Sequence, residues 1–256
     1  MSILEAIALL AAAFCAGAIN AVAGGGSLIS FPALIAAGYP AKTANVTNTV
    51  ALWPGYLGGS LAYRPELRRQ KERVIRLLVP TVLGSLLGSA ILLATSEDAF
   101  EAIVPFLIIF ACGLMLFQEQ LAAMASEHRL GMIDGAGVPW PLHVTTFLAA
   151  MYGAYFGAGL GILILAFLVI MIPDDIQHSN ALKGMLSLLI NAVAVVYFAM
   201  FGPVEWAPAA VMAGGAIAGG YLGVGLARRL GAVWLRRVVI AYGLTVAAIL
   251  LARMVT

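Results

Sequence analysis

Charge is what this chain has least of: 10 % of its 256 residues are Asp, Glu, Lys or Arg, against roughly 25 % in an ordinary soluble domain. Such a composition does not fit a solvated globule. Cysteine is nearly absent as well. Cys15 and Cys112 both stand in apolar stretches without metal-ligand spacing, which argues against a disulfide framework and against a zinc site. Those stretches also hold no cluster of His, Asp or Cys, so neither a metal-ion permease nor a cofactor is expected. The net charge is +2, with no basic stripe interleaved with aromatics, and nucleic acid is not an expected partner. No basic residue precedes the first apolar segment at Ile3, so that segment is not read as a cleaved signal peptide.

What remains is apolar: 62 % of the residues are hydrophobic, in runs that reach the ~20 residues a helix needs to cross a bilayer. The expected fold is all-α, a polytopic membrane protein embedded in lipid. In the first half the runs read as helices over 3–22, 45–63, 74–94 and 100–117. Between the first two, a Gly24-Gly25-Gly26 break opens a short run over 28–37. In the second half, helices are read over 142–156, 180–200, 207–227 and 233–254, with a Gly157–Gly161 break opening a short run over 162–172. Each short run is about 16 Å as helix at 1.5 Å per residue, half of what a crossing requires. Whether these runs fold back as re-entrant hairpins or continue across as broken helices is not fixed by their length.

The two halves superpose in one constant, gapless register. Ala23, Gly24, Gly26, Leu28 and Ile29 fall on Ala158, Gly159, Gly161, Leu163 and Ile164; Asn45 falls on Asn180, and Gly84 and Gly88 fall on Gly219 and Gly223. Charge indicates how the copies are related. Arg64, Arg68, Arg69, Lys71, Arg73 and Arg76 crowd the loop after the Asn45 helix, whose counterpart has only Glu205. The next loop reverses this, with Ser96-Glu97-Asp98 against Arg228, Arg229, Arg236 and Arg237. Lys/Arg-rich loops stay cytoplasmic, so equivalent loops face opposite sides and the repeat is expected to be inverted. This divides the chain into a repeat over 1–118, a cytoplasmic linker over 119–138 and a second repeat over 139–256, with both termini outside. Oligomeric state is left open.

Broken helices in a membrane are tolerated where they are buried in protein or line a cavity, and matched breaks in an inverted repeat point to a substrate site. A half-helix that starts in mid-membrane offers free N–H groups and the positive end of its dipole. Gly24, Gly25, Gly26 and Ser27 are therefore expected at the site, with Gly159 and Gly161 from the second break. Asn45 and Asn48 share a helix face at i, i+3, and Asn180 and Lys183 hold the same pair of positions in the second half. Amide donors with an ammonium group suit a small anion. N-capping and snorkelling of Lys42 and Lys183 are the alternatives weighed for these positions. His143 and His178 are read as solvated or structural, and Asp174-Asp175 as a solvated turn.

The stretch Asn20-Ala21-Val22-Ala23-Gly24-Gly25-Gly26-Ser27-Leu28-Ile29-Ser30-Phe31-Pro32, followed by Ala44-Asn45-Val46-Thr47-Asn48, resembles the signature of the TauE/SafE family of sulfite and organosulfonate exporters. Gly157–Gly161 with Ser179-Asn180-Ala181-Leu182-Lys183-Gly184 resembles the family's second motif. The resemblance covers essentially the whole chain. It implies a permease of the bacterial inner membrane that exports sulfite, sulfoacetate or a related small sulfur-containing or carboxylate anion, and not an enzyme. Two readings of other classes compete with it. An intramembrane hydrolase would use Ser27 with His143, but no acidic partner is spaced to complete a triad. A structural or sensory subunit would not need paired breaks.

Overall fold

The computed structural model describes residues 1–22, 25–62, 64–127, 137–172, 174, 176–230 and 232–255. These form eleven helices, and among the described residues there is no strand. In chain order they are α1 (Ile3–Val22), α2 (Ser27–Ala36), α3 (Ala41–Ala62), α4 (Arg64–Arg69), α5 (Lys71–Ala94) and α6 (Glu97–Glu127), then α7 (Trp140–Tyr155), α8 (Leu160–Met171), α9 (Ile176–Phe201), α10 (Trp206–Leu230) and α11 (Ala232–Val255). Within α1, α5, α6, α9 and α11 lie five segments long and apolar enough to cross a membrane. Large apolar side chains such as Phe106, Phe117 and Leu222 stand exposed, as surfaces that face lipid do.

Two boundaries differ from the sequence reading. The α3 helix begins at Ala41, so Lys42 lies inside its first turn. There Lys42 donates its backbone N–H to Glu97 Oε1 at 2.7 Å and its Nζ to Thr95 O at 2.8 Å. Lys42 thus ties the head of α3 to the link between α5 and α6. The α6 helix runs on to Glu127, into the first part of the expected 119–138 linker. Its last turns, though polar, are rich in the helix formers Ala, Glu, Gln and Met.

Contacts between helix ends establish how the short helices run. Tyr39, just past α2, donates its hydroxyl to Glu5 Oε1 in the first turn of α1 at 3.1 Å. The chain therefore returns to the end from which α1 started. Burial and the Glu5 hydrogen bond, with the charges of Glu5 and Glu205, push the Tyr39 phenol up from its ordinary value. In the second half Thr145 Oγ1, early in α7, lies 3.6 Å from Met171 Sδ at the end of α8. Both broken pairs are re-entrant hairpins.

The same logic sorts the remaining links. The start of α1, the exit of α2, the head of α3 and the α5–α6 link meet at one end of the bundle, and the Glu205 N–H joins them by donating to Thr47 Oγ1 at 3.0 Å. At the other end the start of α5 meets the α8–α9 link. There Gln70 Nε2 donates to His178 O at 2.9 Å, and Arg73 pairs with Asp174.

Packing across the halves is exchanged. The α1 helix lies along α10, and α7 lies along α5. Small residues set this approach: a Cβ at Gly215 or Gly219 would overlap the carbonyl oxygens of Leu10 and Phe14, and one at Gly84 or Gly88 would overlap those of Phe147 and Met151. At the centre α6 crosses α11, where a Cβ at Gly243 would lie 2.8 Å from Cys112 Sγ.

Candidate functional site

Each hairpin tip is made by glycine. Gly25 and Gly159 have φ of 85° and 76°, a left-handed conformation that side chains with a Cβ rarely adopt. The tips converge on one stretch of α6: a Cβ at Gly25 would lie 2.7 Å from Met115 Sδ, and one at Gly159 would lie 3.3 Å from Leu114 Cδ1. Phe31 of α2 and Phe156 at the second tip meet edge to face, with centroids 5.5 Å apart. Gly24 lies outside the described residues.

The hydrogen bonds at each tip leave backbone amides over. At the first, Gly26 N–H donates to Asn20 Oδ1 at 2.7 Å, Leu28 N–H to Gly25 O, and Ile29 and Ser30 N–H to Gly26 O. At the second, Leu160 N–H donates to Gly157 O, and Ile162 and Leu163 N–H to Gly159 O. Among the described residues no carbonyl partner is found for the backbone N–H groups of Gly25 and Ser27 at the first tip, or of Ala158, Gly159 and Gly161 at the second; Ser27 and Gly161 are the ones in the first turns of α2 and α8. A helix start with an open N–H attracts negative charge.

The side chains expected at the site divide into two kinds. Asn45 is 1 % exposed and donates its Nδ2 to Tyr155 O at 2.8 Å, so this amide braces the end of α7, in the opposite half of the chain. Asn48 is 3 % exposed, and its Oδ1 is buried without a hydrogen bond among the described residues. Across the bundle Lys183 Nζ donates to Asn180 Oδ1 at 2.9 Å. A Cβ at Gly161 would lie 3.7 Å from Lys183 Cδ, so the lysine stem passes the first turn of α8, where the free Gly161 amide lies. Among the described residues no carboxylate pairs with Lys183. Nor do they hold a group of three or more His, Cys, Asp or Glu suited to a metal.

Three groups near the tips were not evident from sequence. Asn20 caps α2 from six residues away, a spacing that matches no standard capping motif. Tyr155 contributes a main-chain carbonyl, for which no side-chain type is a signal. Tyr152 closes the second tip by donating its hydroxyl to Ala158 O at 2.6 Å. His143 stands in the first turn of α7, at the opposite end of that helix from the tip, with Nδ1 3.3 Å from Pro139 O and its ring stacked on Trp140. His143 is therefore not placed where the hydrolase reading would need it as the base for Ser27.

A helical bundle with long apolar spans, two re-entrant hairpins and polar groups drawn to their tips is a membrane transporter. The chain belongs to the TauE/SafE family: the model of the family described as Sulfite exporter TauE/SafE matches residues 9–250. It is similar to a "Probable membrane transporter protein" of Haemophilus influenzae, 30 % identical over 91 % of each chain. It is also similar to the "Probable membrane transporter protein ORF9" of a Sinorhizobium species, 26 % identical over 95 % of this chain and 91 % of the relative. The "Probable membrane transporter protein YfcA" of Escherichia coli K12 is 25 % identical over 85 % of this chain and 77 % of its own length. No solved structure matches the chain.

Proposed function

We propose that this protein is a secondary transporter that exports a small sulfur-containing anion, sulfite or an organosulfonate, across the bacterial inner membrane. Its site is the space between the two hairpin tips. Ser27 and Gly161 supply backbone N–H groups, Asn48 and Asn180 supply side-chain amides, and Lys183 supplies the positive charge. Asn45, Gly25, Gly26 and Gly159 hold the tips in shape.

The observation that carries this reading is Lys183. It is partly buried, held by Asn180 against the open end of α8, and without a carboxylate partner among the described residues. A membrane-embedded cation without a counter-charge is costly, and a bound anion removes that cost. The family's printed description as a sulfite exporter directs the choice among anions.

The repeats over 1–118 and 139–256 are proposed to be inverted. The first hairpin enters from the end where Glu5, Glu97 and Glu205 gather, the second from the end where Arg73 meets Asp174. Ile108 and Gly243, which are equivalent in the gapless superposition, lie against each other at the α6–α11 crossing, as they must if a pseudo-twofold axis passes there. The basic end, with Arg68, Arg69, Lys71, Arg73 and Arg76, is assigned to the cytoplasm, together with the 119–138 linker. Rocking of one repeat against the other would expose the site alternately. An inside-negative potential favours exit by about 2.3 kcal/mol per negative charge per 100 mV.

The test is a thermal-shift screen of detergent-purified protein against sulfite, organosulfonates, sulfate, taurine and small carboxylates, followed by flux of each hit in proteoliposomes. Sulfite or a sulfonate is expected to raise the melting temperature by mass action and to move across the membrane, and Lys183→Ala is expected to abolish both effects. Stabilisation and flux with carboxylates alone would replace the substrate class. Cooperative melting that no anion shifts, with no flux, would reject the reading.

A further inference from the structure

We infer that the site selects monovalent over divalent anions. The inference rests on the anion-transport reading and narrows its substrate class.

The argument is a count of formal charge. Lys183 is the one ammonium or guanidinium that the described residues place at the hairpin tips. The elements packed against α9 are α3, α4, α5, α6, α7 and α8, and their charged groups are engaged elsewhere. Lys42 of α3 is bound to Thr95 O, Arg73 of α5 pairs with Asp174, and Arg76 pairs with Glu72. The charges of α4, Glu66, Arg68 and Arg69, stand at the basic end before α5 begins. Lys71 opens α5 at the basic end, and Glu97, Asp98 and Glu101 stand in the first turns of α6 at the opposite end. Deeper in α3, α6 and α7 the titratable groups include the weakly acidic Tyr56, Cys112, Tyr152 and Tyr155, of which Cys112 lies against α11 and Tyr152 against Phe110 of α6, while α8 carries no titratable residue. His143 and His178 lie in the first turns of α7 and α9, toward the basic end.

A monovalent anion beside Lys183 makes a neutral complex. A divalent anion leaves one net negative charge in a medium where unneutralised charge is heavily penalised. The open amides of Ser27 and Gly161 do not alter this balance. They orient an oxyanion and lower its energy locally, but a helix dipole carries no net charge.

Two sulfonates make a direct comparison on the native protein. Isethionate and sulfoacetate share a two-carbon skeleton and a sulfonate. Isethionate ends in an alcohol and carries one charge, whereas sulfoacetate ends in a carboxylate and carries two at neutral pH. Isethionate is expected to bind roughly tenfold or more tightly, a gap that a single unneutralised charge readily provides. Sulfite adds a second axis, because it interconverts between a monovalent hydrogensulfite and a divalent form near neutrality. Its apparent affinity is expected to fall from mildly acid to mildly alkaline pH. Isethionate keeps its charge throughout and reports any titration of the protein itself, so the sulfite curve is expected to fall more steeply.

Binding is read by melting temperature and by countertransport in proteoliposomes. Sulfoacetate or sulfate binding as tightly as isethionate, or a sulfite curve parallel to that of isethionate, would overturn the charge selection while leaving anion transport intact. No binding by any of the four anions, in protein that melts cooperatively, would overturn both. Lys183→Gln provides a second readout: the residual affinities for isethionate and sulfoacetate are expected to converge, because the charge that distinguishes them is gone.

Discussion

Arg73, in the first turn of α5, pairs with Asp174 in the link between α8 and α9, each about one-fifth exposed. Arg73 also reaches Gln70 Oε1 at 3.2 Å, and Gln70 in turn donates to His178 O at 2.9 Å. The contact joins the two halves of the chain at the basic end. Under the proposed alternating access, opening a path at this end would part the two halves across this contact.

Removing one partner breaks a partly buried ion pair, so Arg73→Gln and Asp174→Asn are each expected to destabilise the protein. A double-mutant cycle read by thermal denaturation should give a coupling of about 1–2 kcal/mol. The single variants should also make a cysteine placed near the basic mouth more reactive to a soluble thiol reagent. A coupling near zero with unchanged reactivity would reduce the pair to a surface contact.

Asn45 acts on a carbonyl. Asn45→Ala leaves the Tyr155 oxygen buried and unpaired, at a cost of about 1–3 kcal/mol. Asn45→Asp is expected to be worse near neutrality, because it sets a carboxylate against that oxygen, and to recover partly at acid pH where the carboxyl becomes a donor. Melting curves of the two variants across pH measure this. If the alanine variant melts like the parent, the brace is not needed.

Neighbouring glycines in α10 should respond in opposite ways. A Cβ at Gly215 overlaps Leu10 O, while at Gly214 nothing lies within 4 Å. Gly215→Ala should force α1 and α10 apart and lower the melting temperature sharply, and Gly214→Ala should be neutral or slightly stabilising, because alanine is favoured over glycine in a helix by about 1 kcal/mol. Equal effects at the two positions would mean that these helices approach differently.

Sidedness can be read with single cysteines at Asp98 and Lys71 in a background lacking Cys15 and Cys112. An impermeant maleimide added to intact cells is expected to label position 98 and to reach position 71 only after permeabilisation. The reverse pattern would turn the whole molecule over in the membrane.

Much of this was legible in the sequence, and the reason is local. A run of glycines between apolar stretches breaks a helix wherever it stands, so the positions of both breaks were legible. The length of the apolar runs marked the long helices, and the shared register paired Asn180 with Asn45 and Gly219 with Gly84. The pairings between distant segments were not legible. Asp174 reads as a solvated turn because nothing near it in the chain is basic, and its partner Arg73 belongs to the other half. Asn45 reads as a donor to substrate because a main-chain carbonyl such as that of Tyr155 has no residue type to announce it. The direction of the short helices was equally hidden: ten or twelve apolar residues fit a hairpin or half a crossing alike, and the contacts of Tyr39 with Glu5 and of Thr145 with Met171 decide between them.

The exchange of partners between the halves bears on how the molecule is made. The face of α1 that fits α10 leaves the ribosome while most of the chain is still unsynthesised. Until α10 arrives, Leu10, Phe14 and Gly17 of α1 lack Gly215, Gly219 and Ala216, which lie against them in the finished fold. The α5 helix has a shorter wait, since α7 follows soon after it. The α5–α7 contact thus lies between segments made early, whereas α10 reaches α1 late, with α11 still to pack against α6. A chain truncated before α10 would keep four of the five spanning segments and still lack a finished membrane domain, with the groove along α1 unclaimed for a quality-control protease to recognise.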